Sequence, residues 1–180
     1  TFLLPLAESS LERLGTSLPE GVLVGARGDH YFLHPETKND PDHLEFKEKF
    51  HKKTGAYPIY SVYHMVQALH GLKAGYEKAI EDNNGAWPTP EQVADTMHDI
   101  SFKGFGREIT INRADGQAYE AQIFGITKKV DDYPFMILDN MTIYPGEPLT
   151  APVGEDTHTW LKTLEESILQ SDDYKSFSHE

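Results

Sequence analysis

The stretch TGAYPIYSVYHMVQALHGLKAGYEKAI, Thr54 to Ile80, decides how the chain is read. Gly55 and Pro58 punctuate its start, so a helix is expected at or just after Pro58, where proline's missing N–H costs nothing. Val62, Val66, Leu69, Tyr76 and Ile80 then recur at spacings of three, four and seven. That pattern predicts one apolar stripe down a long helix. Ser61, His64, Gln67, His70, Lys73 and Glu77 fall on other faces. Tyr57, Tyr60 and Tyr63 crowd the N-terminal end, where free N–H groups and a positive dipole end can receive an anion beside aromatic walls. Burial as ordinary core aromatics is the alternative. Tyr63 continues toward Val66 and Tyr76 and is assigned to the core, which leaves Tyr57 and Tyr60 as cleft candidates.

Upstream, Thr1–Leu4 reads as a short buried strand ended by Pro5. Ser9 to Leu14 reads as a brief helix stopped by Gly15. A turn at Leu18–Gly21 leads to a strand over Val22–Ala26, and Gly25, Gly28 and Arg27–His30 read as a flexible crossing. Asp40 is placed as the N-cap of a helix with Pro41 at its first position and Phe46 and Phe50 on its apolar edge. Downstream, Asn83–Pro88 is a loop, and Thr89-Pro90-Glu91-Gln92 has the form of a capping box opening a helix on Val93, Met97 and Ile100. Gly104 and Gly106 end that unit. Arg107–Arg113 alternates, Asp115-Gly116 marks a hairpin, and Gln117–Val130 reads as a second alternating run. Phe135–Tyr144 is a further strand, followed by a turn at Tyr144–Glu147 and a Pro/Gly-rich connection to Gly154. A last helix carries Trp160, Leu161, Leu164 and Ile168, and the tail after Gln170 is polar and frayed. The order predicts an α/β chain that leaves one sheet and returns to it.

Composition narrows the function. The 180 residues are 25% charged and 38% hydrophobic, as in a soluble globular chain. No apolar run approaches the ~20 residues of a membrane span. Net charge is −13, and no Lys/Arg cluster exceeds a pair, which argues against nucleic acid as a partner. The absence of cysteine removes disulfides, zinc thiolates and thiol catalysis without fixing the compartment. No signal peptide is visible, and the start at Thr1-Phe2-Leu3-Leu4 reads as processed or truncated.

Catalytic and metal-binding patterns are thin. His30 and His34 are four apart, but Pro35 argues against a helix there and no carboxylate sits at a helpful spacing, so both read as solvated loop histidines and no metal is expected. His64 and His70, six apart, do not share a helix face and read as partly exposed. Asp131-Asp132 and Glu165-Glu166 read as solvated surface. Gly104-Phe105-Gly106 lacks the context of a dinucleotide loop. No nucleophile–base pair is indicated by spacing, so no enzyme activity and no cofactor are expected.

Several strings, in order, resemble the C-terminal half of the type I periplasmic solute-binding proteins, the branched-chain amino acid receptor family of ABC transporters. They are Thr1–Pro5, LPEGVLVGAR at Leu18–Arg27, FKEKFHKKTGAYPIYSVYHMVQALHGLKAG from Phe46 to Gly75, PEQVADTM, and FKGFGREITINRADGQAY from Phe102 to Tyr119. Together they cover most of the chain up to about Val130. TIYPGEPLTAPVG at Thr142–Gly154 is similar to tails of members that take aromatic acids. The resemblance implies a two-lobed α/β clamp of the type I periplasmic-binding-protein kind, with solute held in the cleft between lobes. Residues 1–36 would belong to the second lobe, 37–113 to the first, and 114–180 would return to the second and cover the hinge.

By the same resemblance, most of the first lobe and its clamp on the ligand's carboxylate and amine would lie in an N-terminal portion before Thr1, and this chain is expected not to fold alone. The implied role is the periplasmic, or extracellular and membrane-tethered, binding component that delivers a small carboxylate to ABC permease subunits. The alternative is a ligand-sensing module of the same architecture coupled to a signalling partner. Implied ligand-binding residues are Tyr57, Tyr60, Leu6, Glu8 and Arg27. The family's amine-binding acid follows the second-lobe strand, where this chain reads Leu4-Pro5-Leu6-Ala7 with no acid until Glu8. That departure favours an amine-free aromatic or aliphatic carboxylate over a branched-chain amino acid.

Overall fold

In the computed structural model, residues 2–164 and the backbone of 175–177 are described. Two sheets are present. The larger has the order β1-β2-β6-β7-β8: β1 (Leu3–Leu4), β2 (Leu23–Ala26), β6 (Gln122–Lys128), β7 (Ile137–Tyr144) and β8 (Lys175–Phe177). β1 and β2 are parallel, and the other neighbours are antiparallel. Between β2 and β6 the chain forms α2 (Pro41–Thr54), α3 (Tyr60–Asp82), α4 (Pro90–Thr96) and a smaller sheet of β3 (Ser101–Lys103), β4 (Glu108–Ile111) and β5 (Ala118–Tyr119). The chain therefore does leave one sheet and return to it. α1 (Leu11–Leu14) precedes β2, and α5 (Thr157–Leu161) follows β7; Ile168, Glu165-Glu166 and the tail after Gln170 lie outside the described residues apart from β8.

Local chemistry sets several boundaries. The Asp40 side chain accepts from the amides of Asp42 and His43, and Gly55 ends α2 in the left-handed conformation. The Thr89–Gln92 capping box is complete, with both reciprocal hydrogen bonds. Gly116, at φ +70°, turns the β4–β5 hairpin.

The core is built on the larger sheet. Val22, Val24, Ala26, Ile123, Ile137, Leu138, Met141 and Ile143 pack with Leu11, Tyr31, Phe32 and Phe135. Buried polar groups there are paired. Thr127 accepts the Val22 N–H and donates to the Pro19 carbonyl, and the Tyr31 hydroxyl accepts the Leu138 N–H.

Four expectations are corrected. β1 is exposed rather than buried, because Leu3 and Leu4 form the two-residue edge strand of the larger sheet, outside the core cluster. The run Gln117–Val130 is not one strand: Ala118–Tyr119 pairs with β4, Gln122 onward pairs with β2 and β7, and Glu120 and Ala121 cross between the sheets. α4 ends at Thr96, short of the Met97 and Ile100 expected on it, and residues 101–103 form β3 against β4. Finally, α3 buries Tyr63, Gln67, Gly71, Gly75 and Ala79, not the predicted stripe. Val62, Val66, Tyr76 and Ile80 are half-buried and Leu69 is exposed. The glycines explain the choice. A Cβ on Gly71 would lie 2.9 Å from the Phe102 ring, and Gly75 meets Met97, so β3 and α4 approach only along the face without large side chains.

Gly106 is similarly confined. A Cβ there would overlap the backbone carbonyl of Asp29, whereas the space around Gly116 is open. Gly106→Ala is expected to cost about 1–3 kcal/mol in denaturant unfolding. Gly116→Asn, which tolerates a left-handed turn, should cost less than about 1 kcal/mol. Equal effects would show that the crossing at Asp29 shifts freely.

Candidate functional site

The candidate site lies where the crossing after β2, the N-terminal turns of α3 and the crossing before β6 meet. Two groups of side chains converge there.

The first surrounds the start of α3. Glu8, 4% exposed, accepts the Tyr60 N–H at 3.2 Å, and Glu12 accepts the Tyr57 N–H at 3.0 Å. The amides of Val62 and Tyr63 both donate to the Ile59 carbonyl. Three of the first four amides of α3 are thus satisfied by the chain itself, which corrects the expectation that this helix end stands open to a ligand's carboxylate. Burial pushes the Glu8 acid up to about 7, with the neighbouring Glu12 adding to the rise and the Tyr60 hydrogen bond opposing it. The crevice beside it, lined by Glu8, Tyr31, Phe32, Tyr57 and Ile59, is about 10 Å³, enough for one water at most.

The expected ligand residues separate here. Tyr57 is stacked on Phe32 (centroids 4.5 Å) and on His51 (4.4 Å) and packs against the core aromatics. Tyr60 is half-buried outside that cluster, its ring edge-on to His64 at 5.6 Å. Leu6 and Arg27 are exposed. Tyr63 is in the core, as expected, at 1% exposure. Its hydroxyl lies 2.7 Å from His43 Nε2, and His43 Nδ1 faces Thr37 Oγ1 at 2.8 Å. Burial pushes His43 down to about 4, helped by the charges of Lys47 and His34, so it is neutral at physiological pH.

The second group sits on the crossings. His30 and His34 are 1% and 0% exposed, so neither is the solvated loop histidine expected from the sequence. His34 Nδ1 accepts the Glu36 N–H, which leaves its hydrogen on Nε2 for Asp29 Oδ1 at 2.9 Å. Asp29 also accepts the Arg107 N–H at 2.9 Å. Burial alone would raise the Asp29 carboxyl; the His34 hydrogen bond, with the Arg107 amide and guanidinium, outweighs it and holds the group below its ordinary value.

His30 Nδ1 lies 3.2 Å from Glu120 Oε1 and His64 Nε2 3.6 Å from Glu120 Oε2. Gln67 Nε2 donates to Glu120 Oε1 at 2.6 Å. Gly28, at φ +104°, makes room: a Cβ there would lie 2.5 Å from His30 Cε1 and 2.9 Å from Glu120 Oε1. Sequence spacing missed this convergence, because the three elements meet only in the folded chain. Gly28 beside His30 was its single local signal.

Solved structures with the same arrangement are ABC-transporter solute-binding proteins. A branched-chain amino acid transporter protein of Rhodopseudomonas palustris CGA009 superposes with TM-score 0.60 at 15% identity, over 87% of this chain and 38% of its own. The fold is that of the type I periplasmic binding proteins. A solute-binding protein of Rhodopseudomonas palustris BisB5, in complex with 3,4-dihydroxybenzoic acid, matches with TM-score 0.51 at 15% identity over 78% and 36% of the two chains. A leucine-, isoleucine-, valine-, threonine- and alanine-binding protein of Brucella ovis, in a closed conformation, matches at 0.54 and 20% over 78% and 35%. This chain therefore spans little more than a third of each neighbour. No protein-family model matches the sequence, and no functionally described protein matches it by sequence. Among the described residues no helix is long and apolar enough to cross a membrane.

The buried Glu8 gives a pH signature. Below pH 4.5 the acid is protonated in folded and unfolded chains alike and costs the fold nothing. Between about 4.5 and about 7 the unfolded chain has released this proton while the folded chain still holds it, so stability is lost at up to about 1.4 kcal/mol per pH unit, and the loss is complete once the buried acid ionises. The melting temperature is expected to fall more steeply across that window in the natural protein than in Glu8→Gln. Equal slopes would show Glu8 already ionised in the folded chain under acid conditions.

Proposed function

We propose that this chain is part of the periplasmic solute-binding component of an ABC transporter, non-enzymatic, which captures a small amine-free carboxylate between two lobes and delivers it to permease subunits. The observation that carries this reading is the division of the chain between two sheets joined by crossings, in the fold shared with transporter binding proteins. We assign the larger sheet to one lobe, and α2–α4 with the smaller sheet to the other. An N-terminal portion, matching the rest of the length of the neighbours, would complete the first lobe. Closure of lobes on a solute is absorbed by a few loop residues, and crossings between the two sheets supply such positions.

The ligand class follows from charge. Glu8 is the first acid after β1, but it is buried and engaged by the α3 amide, so no carboxylate there is presented to an ammonium group. An uncompensated buried ammonium costs several kcal/mol, which disfavours leucine-like ligands. Arg27, exposed and near enough to His64 for its charge to act on that ring, is the cation we assign to the solute's carboxylate. Tyr60 is the aromatic wall. The neighbour holding a dihydroxybenzoate supports an aromatic acid, whereas the Brucella ovis neighbour keeps amino acids as the competing class.

A thermal-shift screen of the complete natural polypeptide tests this. Benzoate-type or aliphatic carboxylates should raise the melting temperature more than leucine, isoleucine or valine. Stabilisation chiefly by the branched-chain amino acids would overturn the assignment. With a stabilising carboxylate identified, Tyr60→Ala should weaken binding by about 1–3 kcal/mol in calorimetry with the fold intact. Unchanged affinity with a much lower melting temperature would make Tyr60 a packing residue.

A further inference from the structure

His30, His64 and Glu120 come from three separated segments: the crossing after β2, the second turn of α3, and the crossing before β6. One ligand atom from each lies within 4.8 Å of the other two. The His30–Glu120 and His64–Glu120 separations are 3.2 and 3.6 Å. Ligands of a tetrahedral zinc-like ion at ~2.0–2.2 Å from the metal stand about 3.4 Å apart; each imidazole is within about that distance of a Glu120 oxygen, His30 of Oε1 and His64 of Oε2, and the three ligand atoms need to close by about an ångström at most to grip one ion.

The group is also under-satisfied as a purely organic network. His30 Nε2 and His64 Nε2 are buried without a hydrogen-bond partner, although buried ring nitrogens are normally paired. The two rings meet edge-on at 4.7 Å, an arrangement that hydrogen bonding between them does not explain. Gln67 Nε2 lies 2.6 Å from Glu120 Oε1 and 3.2 Å from His30 Nδ1, so it orients both groups as an outer-shell partner does, leaving Glu120 Oε2 and His30 Nε2 free of it.

We propose that His30, His64 and Glu120 form a site for one divalent transition ion of the zinc class, held by three protein ligands with one position open. Such an ion joins both crossings to α3, and therefore fixes how the two sheets sit against one another. Arg27 opposes the ion from beside His64, but it is exposed, where solvent and salt screen its charge.

The test uses the complete natural polypeptide, untagged and stripped of metal with a chelator, titrated with Co2+. One equivalent should produce the strong visible bands of tetrahedral cobalt, and Zn2+ should abolish them while raising the melting temperature. His64→Ala and Glu120→Gln should each remove the bands. Gln67→Leu should weaken binding about 10–100-fold, as loss of an outer-shell partner does, with an unchanged circular dichroism spectrum. His64 is the least buried ligand, so its variant keeps the test usable if Glu120→Gln fails to fold. Absence of tetrahedral bands, or bands that persist in His64→Ala, would overturn the site and leave the cluster as a polar brace.

Discussion

The buried carboxylate of Asp29 is the interaction on which the arrangement of the two sheets depends. It is 2% exposed and holds His34 Nε2–H on one oxygen and the Arg107 amide on the other. Arg107 in turn reaches Glu36 at 3.4 Å, so the crossing is tied at both ends to the entry of β4. Gly106 lets the two backbones touch at that point. A carboxylate this deep is tolerable only with its partners in place; removing one from such a pair typically costs about 3–5 kcal/mol. The backbone direction that Asp29 fixes also sets His30, the next residue, against α3 and Glu120.

α3 is held from three sides by unlike chemistry. Its start is anchored through Glu8 to the 3-10 turn before α1. Its second turn is locked to α2 by the Tyr63–His43 hydrogen bond. Further along, Thr96 donates to the Gly75 carbonyl across a glycine contact. The polar anchors lie at the end nearest the crossings and the apolar fit at the far end. Rigid placement of Tyr60, Gln67 and His64 follows from that gradient.

Where neighbouring residues alone settle the outcome, the fold was legible in the chain. The Asp40-Pro41 and Thr89–Gln92 caps, the Gly55 stop and the Asp115-Gly116 hairpin all follow from groups within four residues of each other. Tertiary choices were not. Gln117–Val130 keeps its alternation through Glu120 and Ala121 with no Gly or Pro to mark the change of sheet. The buried face of α3 is its small-residue face, and a pattern that counts large aliphatics points elsewhere. At the candidate site, Tyr63 as core and Tyr60 outside it were readable from helical spacing. The seating of Glu8 on the Tyr60 amide, 52 residues away, was not. Nor was the meeting of His30 with Glu120.

The pairing of β2 with β6 also governs how the chain reaches this structure. Leu23 faces Ile126, 103 positions further along the chain, and every other pair in that ladder closes nearly as long a loop. The α3–α4 contact and the β3–β4–β5 meander close within a few tens of residues. Loop-closure entropy and contact order place those local contacts early and the β2–β6 closure late. Until it closes, β2 and the β6–β7 hairpin carry open edges and unburied aliphatics, so the middle of the chain organises while its ends are still searching for each other.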